Sequence, residues 1–384
     1  MPKILRIINR FNLGGPTYNA AYLTKYLAPE FETLLVGGVK DESEGSSEFI
    51  LKDLGVEYKV LNQMKRSINP FNDLSAYNEI RKLILDFKPD IVHTHAAKAG
   101  ALGRQAAFSC GVPVTVHTYH GHVFHSYFGN FKTSVYKAIE RNLAKKTSAI
   151  IAISEKQKQE LVNEHRIANA AKVQVIPLGF DLQRFQDNRE QKRNNFRARY
   201  KVQEDELAVG IVGRLVPVKN HDLFLEAIKF LVENSSRKIR AFVVGDGERR
   251  EALEEKSRQL ALQNVITFTS WIQEVDKVYP GLDIVCLTSF NEGTPVSLIE
   301  AQAAGTPIVS VRVGGIENVV IEGKTALLSD NADKQLFCKK LLLLAENEAL
   351  RQEFSKNGWN HVREKYHYTR LIREISALYH SLRG

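Results

Sequence analysis

The sequence predicts an α/β chain built as two consecutive parallel sheets covered by helices. Three observations carry that expectation. Short β-branched runs alternate with helix-length amphipathic stretches, the pattern of parallel strands joined by helical crossovers. At roughly 150 residues per domain, 384 residues make two or three cores of ordinary size. The strand series also restarts, because a second set of apolar runs follows the strongly charged segment 184–199.

Taken in order, the first series reads as strands at Ile4–Asn9, Thr33–Gly37, Ile91–His93, Val114–Thr118, Ala149–Ile153 and Val173–Pro177. A linker near Leu178–Phe185 separates it from strands at Leu207–Val212, Ile239–Val244, Val265–Phe268, Ile284–Thr288 and Pro307–Val311. The expected domains are 1–180, joined by a C-terminal helix at about 365–384, and 181–364. In that last helix Leu371, Ile372, Ile375, Leu378, Tyr379 and Leu382 recur at helical spacing, giving one apolar stripe to lay on a domain surface. No period of 20 to 50 residues is present, which sets repeat architectures aside.

Composition narrows the classes. With 53 Lys and Arg against 44 Asp and Glu, the net charge of +9 favours acidic partners without choosing among nucleotides, phosphates, anionic lipid and nucleic acid. No RNP, zinc-finger or helix-turn-helix signature is found, so nucleic acid is not the expected partner. The three cysteines, Cys110, Cys286 and Cys338, form no C-x-x-C pair, which fits a reducing cytoplasm. The longest stretch free of Lys, Arg, Asp and Glu, 105–131, holds Gly111, Pro113, Gly121 and four histidines and is no lipid-facing helix. Lys3, Arg6 and Arg10 break the apolar run at the N-terminus, so no secretory signal is expected.

The densest chemical signal is Asn291–Glu300, directly after a strand. Thr294 is placed to cap a helix with Pro295 at its first position. The amides of that first turn, at Val296 and Ser297, would then bind an anion, with Gly293 allowing close approach. Glu300 lies six residues past the cap, ~9 Å along the axis. Two readings stay open on these residues alone: Glu292 and Glu300 as ordinary helix acids, or as contacts to the sugar and the ribose of a nucleotide sugar. Arg214 and Lys219, in the loop Gly213–Lys219 after the first strand of the same domain, add a planar fork and a mobile point charge suited to phosphate. Gly245-Asp246-Gly247 after the next strand lines the same edge.

Together Gly213-Arg214, Lys219-Asn220, Gly245 to Glu248, Glu292, Glu300-Ala301, Gly305, Pro307 and Gly314-Gly315 resemble glycosyltransferase family 4, retaining enzymes of the GT-B fold. The resemblance implies two Rossmann-like domains facing each other across a cleft, the first binding the acceptor and the second the donor, with the C-terminal helix crossing back to the first. It assigns Arg214 and Lys219 to the donor diphosphate, Glu300 to the ribose and Glu292 to the transferring sugar. Departures from the family pattern at Ser270 and at Thr288-Ser289 fall beside the expected nucleobase pocket, to which Trp271 and Ile272 also belong. By the same resemblance the Gly14-Gly15 loop faces the donor phosphates, and His120, in Thr118-Tyr119-His120, reaches the donor sugar from the acceptor domain.

Six of the eleven histidines fall between His93 and His125, yet no Asp or Glu lies between Asp90 and Glu140. A metal site is therefore not expected. His93 and His95 with Lys98 and Arg104 form a candidate anion-binding loop. His117, His122 and His125 read as acceptor contacts or as satisfied polar groups. Between Lys132 and Lys146, Val135, Tyr136, Ile139 and Leu143 share one helical face and Lys137, Arg141 and Lys145 another. With Phe124, Tyr127, Phe128 and Phe131 upstream, the segment 124–146 is either a helix packed on the sheet or a seat on anionic membrane. The expected function is metal-independent, retaining transfer of a hexose or N-acetylhexosamine from a UDP-linked donor to a saccharide or polyprenyl-diphosphate-linked saccharide, by a cytoplasmic enzyme that is either free or peripheral on the inner face of the membrane. The alternatives are a nucleotide-sugar epimerase of the same fold and a non-catalytic nucleotide- or nucleic-acid-binding protein.

Overall fold

The computed structural model describes the chain apart from residues 13, 14, 42–44, 66, 121–129, 331 and 332, and apart from the side chains of 130–132. It divides into two compact units, Met1–Phe180 with Tyr366–Gly384, and Asp181–Lys365.

Among the described residues the first unit holds seven parallel strands: β1 Lys3–Ile8, β2 Glu32–Gly38, β3 Tyr58–Leu61, β4 Ile91–His95, β5 Val114–Tyr119, β6 Ala149–Ala152 and β7 Val173–Val175. They lie in the order β3-β2-β1-β4-β5-β6-β7. Central strands of such a sheet are covered on both faces and so read as nearly unbroken apolar runs. Ile4, Leu5, Ile7 and Ile8 of β1 are all buried. One face packs Ile4, Ile91 and Val116 against Leu23 and Phe31 and against Leu371, Ile375, Leu378 and Tyr379 of the terminal helix Tyr368–Arg383. The stripe expected from spacing is thus the stripe that is buried.

The second unit holds β8 Glu206–Val212, β9 Lys238–Val244, β10 Ile266–Thr269, β11 Ile284–Leu287, β12 Ile308–Arg312 and β13 Ala326–Asp330, all parallel, in the order β10-β9-β8-β11-β12-β13. β3 and β13 are strands that the sequence pattern did not announce. Each closes an edge of its sheet.

The helix Asn130–Lys146 corrects its expected faces. Leu143 is buried, but Val135 and Ile139 remain 45% and 46% exposed. The buried place goes to Glu140, whose Oε2 accepts from Arg104 at 2.7 Å and from the Tyr119 hydroxyl at 2.5 Å. A charge taken out of water needs such partners. His122, Phe124, His125, Tyr127 and Phe128 lie outside the described residues, as does the side chain of Phe131. Among the described residues no helix is long and apolar enough to cross a membrane.

Candidate active site

In the second unit the strand order reverses between β8 and β11, so loops leaving their carboxyl ends diverge and open a crevice. The loop after β8 is clamped from its neighbour: Gly213 N–H donates to the Val244 carbonyl at 3.0 Å and Leu215 N–H to the Asp246 carbonyl at 2.9 Å. Gly245 adopts φ +140, and a Cβ there would stand 2.0 Å from the Gly213 oxygen, so only glycine fits this approach. Between the two clamps Arg214 is exposed and makes no ion pair among the described residues. Lys219 ends the 3-10 turn Pro217–Lys219, and the Thr288 hydroxyl donates to its carbonyl at 3.0 Å. Phe290 N–H donates to the Val218 carbonyl at 2.8 Å, which ties the loop after β11 to the loop after β8.

Those ties bring Lys219 and Glu292 together. Glu292 Oε1 accepts from Lys219 Nζ at 2.6 Å and from the Ser289 hydroxyl at 2.6 Å. Its backbone oxygen accepts from Gly315 N–H at 2.9 Å, and Gly314, at φ +54, passes so close that a Cβ would lie 1.9 Å from that oxygen. The helix Val296–Ala303 then begins, with Pro295 rather than Thr294 at the cap. Pro295 keeps ψ 92, so the first helical residue falls one later than expected and no side-chain oxygen caps the turn. The amides of Val296 and Ser297 consequently have no helical acceptor. Nothing stands within 4 Å of where a Cβ on Gly293 would be, leaving that approach open.

Glu300, further along the same helix, is held by two groups absent from the sequence reading. Tyr279 donates its hydroxyl to Oε2 at 3.1 Å, and an Arg184 guanidinium nitrogen stands 4.0 Å from Oε1. Burial pushes the carboxyl up to about 7, against the pull of Arg184 and Tyr279 and with a small further push from Asp276. Ser270 and Trp271 are exposed directly after β10, with Ile272 half-buried, and Arg250 NH1 reaches the Thr269 carbonyl at 3.2 Å and the Ser270 hydroxyl at 3.4 Å.

In the first unit the order reverses between β1 and β4. Gly15 opens the helix Gly15–Tyr26 beside that point, whereas Gly14 lies outside the described residues. The expected anion loop at His93, His95, Lys98 and Arg104 is not one. Lys98 is tied to Asp73 and to the Lys65 and Ser67 carbonyls, and Arg104 is spent on Glu140. His93, His95 and His117 are fully buried. His117 Nδ1 meets the Thr94 hydroxyl at 2.8 Å, and His95 Nδ1 meets His120 Nε2 at 2.8 Å. Among the described residues no group of three His, Cys, Asp or Glu side chains is placed to hold a metal ion. Arg6 joins this cluster unannounced, although one arginine inside the apolar run Ile4-Leu5-Arg6-Ile7-Ile8 is a visible signal for a buried polar partner.

Comparison with known proteins gives concordant matches to both halves. The model described as "Glycosyl transferases group 1" matches residues 192–361, and that described as "Glycosyltransferase Family 4" matches residues 14–184. The UDP-Gal:alpha-D-GlcNAc-diphosphoundecaprenol alpha-1,3-galactosyltransferase of Escherichia coli is 31% identical over 82% of this chain and 81% of its own. The capsular polysaccharide biosynthesis glycosyltransferase CapM of Staphylococcus aureus is 26% identical over 86% of this chain and 87% of its own. Among solved structures, Anabaena HepE in complex with UDP superposes with a TM-score of 0.83 at 18% identity, covering 99% of this chain and all of that one. Likeness at that identity speaks for the fold.

Proposed function

The chain belongs to glycosyltransferase family 4, and from that premise we propose that it transfers a hexose or N-acetylhexosamine, with retention, from a UDP-linked donor to a polyprenyl-diphosphate-linked saccharide. The second unit binds the donor and the first the acceptor. The observation that carries this reading is the switch point of the second sheet, where Arg214, Lys219 and the open first turn at Val296 and Ser297 offer cationic and amide donors to one diphosphate. The likeness to the Escherichia coli galactosyltransferase supports the lipid-linked acceptor. Purified enzyme given a panel of UDP-sugars and a polyprenyl-diphosphate-linked N-acetylglucosamine should lengthen the lipid-linked product by one α-linked sugar, read by mass spectrometry and proton NMR. Transfer from none of the UDP-sugars would refute it.

During transfer the bond from the anomeric carbon to the diphosphate breaks, and negative charge grows on the departing oxygen. Arg214, Lys219 and the helix amides meet that charge where it forms, and such fixed donors supply most of the rate enhancement in many enzymes. The acceptor hydroxyl attacks on the same face, giving its proton to the departing phosphate. In this proposal Glu292 contacts the transferring sugar, as does His120, and Glu300 accepts from the ribose hydroxyls while Trp271 and Ile272 contact the base.

A pH dependence follows for Glu300. With the carboxyl at about 7 in the folded protein, one pH unit lower leaves roughly a tenth of it ionised to accept from ribose. KM for the UDP-sugar should rise about tenfold from pH 8 to pH 6, and Glu300→Gln should make it flat. An acid limb that persists in Glu300→Gln would free Glu300 of this role. Because the unfolded carboxyl titrates near 4.5, the folded state holds the extra proton between 4.5 and about 7, so this group's contribution to stability falls as pH rises through that window.

A lipid-linked acceptor supports the further proposal that the enzyme works at the cytoplasmic face of the membrane, with the helix Asn130–Lys146 as the contact. Exposed Val135 and Ile139 support it, together with the exposed Lys145, whereas Arg141 is bound to the His165 carbonyl at 2.7 Å. Ile68, Phe71 and Leu74 are further exposed apolar side chains of the same unit. Replacing Val135 and Ile139 together by Asp should lower binding to anionic vesicles at least tenfold in a flotation assay. Unchanged flotation would move the contact off this helix.

A further inference from the structure

Arg6 is a buried charge that the reading above leaves unused. It is 0% exposed on β1, in register with His93 on β4, and its partners among the described residues are His93, His95 and the Tyr379 phenol. A guanidinium donates hydrogen bonds and never accepts them. Its NH1 stands 3.0 Å from His93 Nδ1 and 3.5 Å from His95 Nε2, so both of those nitrogens must be acceptors.

The consequence propagates. Burial holds His93 and His95 well below the usual imidazole range, and burial pushes His120 down to about 3, so all three rings are neutral and carry one N–H each. His93 must carry its proton on Nε2, where the Thr118 hydroxyl lies at 2.7 Å, while the Tyr379 hydroxyl donates to Nδ1 at 2.6 Å. His95 must carry its proton on Nδ1 and donate across 2.8 Å to His120 Nε2. That leaves the proton of His120 on Nδ1, a buried atom with no partner among the described residues. In water a histidine prefers the opposite form, with the proton on Nε2.

We propose that Arg6 acts through His95 as a positioning residue, fixing the tautomer of His120 so that its Nδ1–H is the hydrogen-bond donor presented to an acceptor oxygen of the ligand, such as a sugar hydroxyl. Only the last step rests on His120 facing the donor sugar. With the tautomer reversed the same hydroxyl would have to turn and donate its own proton to Nδ1, giving up the acceptor that proton would otherwise meet, and an unmet buried donor or acceptor is costly.

The tautomer is measurable without substrate. In the full chain labelled with nitrogen-15 at histidine, long-range proton–nitrogen correlations should show His95 and His120 protonated on Nδ1 and His93 on Nε2, with the His120 signals assigned by their loss in His120→Asn. Arg6→Lys, which keeps a donor, should preserve the pattern. Arg6→Met should return His120 to the Nε2–H form and lower kcat about tenfold with little change in KM for the donor. His120 protonated on Nε2 in the wild-type protein overturns the proposal, and does so even if Arg6→Met fails to fold. An unchanged His120 tautomer in folded Arg6→Met overturns the part given to Arg6. Full transfer by His120→Ala would instead sink the sugar contact proposed above while leaving the tautomer assignment intact.

Discussion

Arg214→Ala should lower kcat about 10²- to 10³-fold while leaving the melting temperature unchanged. The two halves of that expectation have separate causes. Arg214 is exposed, and its side chain makes no ion pair that the fold depends on among the described residues; its backbone neighbours hold the loop instead, through Gly213 N–H to Val244 and Leu215 N–H to Asp246. Truncating a surface side chain of that kind shifts stability by about 0.5 kcal/mol or less. The loss should fall in the chemical step, because the charge that a guanidinium meets on the departing diphosphate is greater in the transition state than in the bound donor. Arg214→Lys should recover part of the rate, since an ammonium restores charge without the planar fork. Steady-state kinetics with the UDP-sugar and a thermal melt of the same preparation check both halves. Full turnover in Arg214→Ala would remove the diphosphate from this loop.

The architecture was legible because parallel strands buried on both faces leave a plain trace. Ile4 to Ile8, Ala149 to Ala152 and Ile284 to Leu287 are buried strands, and each is a short apolar run between amphipathic stretches. β3 and β13 escaped for a physical reason. Tyr58–Leu61 is four residues long with its exposed side carrying Lys59, and Ala326–Asp330 is led by Ala and two Leu, good helix formers whose extended form is imposed by pairing with β12. At the candidate site, motif spacing names the loops but not their partnerships. Lys219 and Glu292 are 73 residues apart, and Arg6 and His95 are 89 apart. Only the order of strands, β8 beside β11 and β1 beside β4, sets them against each other. The histidines show the same limit: their clustering is visible in the sequence, whereas the His95–His120 contact follows from the β4–β5 register that seats His95 opposite Thr118. The misread face of Asn130–Lys146 has the converse cause. Helical spacing sorts residues by hydropathy, and Glu140 is buried because Arg104 and Tyr119 wait for it.

The pairing of Lys219 with Glu292 makes the second large prediction more than a loss of activity. Glu292→Ala should both reduce kcat by at least 10²-fold and cost about 2 kcal/mol of stability, because Glu292 is buried and its removal strands the partly buried Lys219 ammonium and the Ser289 hydroxyl. Glu292→Gln keeps the shape and an acceptor oxygen, so it should recover most of the stability while remaining catalytically poor. Two physical roles could underlie the poor rate, and a double-mutant cycle with Lys219→Met separates them. If Glu292 serves only to aim Lys219 at the diphosphate, the double variant should be no worse than either single one. If the carboxylate also touches the transferring sugar, the losses should compound, since two distinct contacts then disappear. The sugar-facing role proposed for Glu292 requires the second result. Glu292→Gln with the turnover of the unaltered enzyme would mean that the charge on this side chain serves the fold alone.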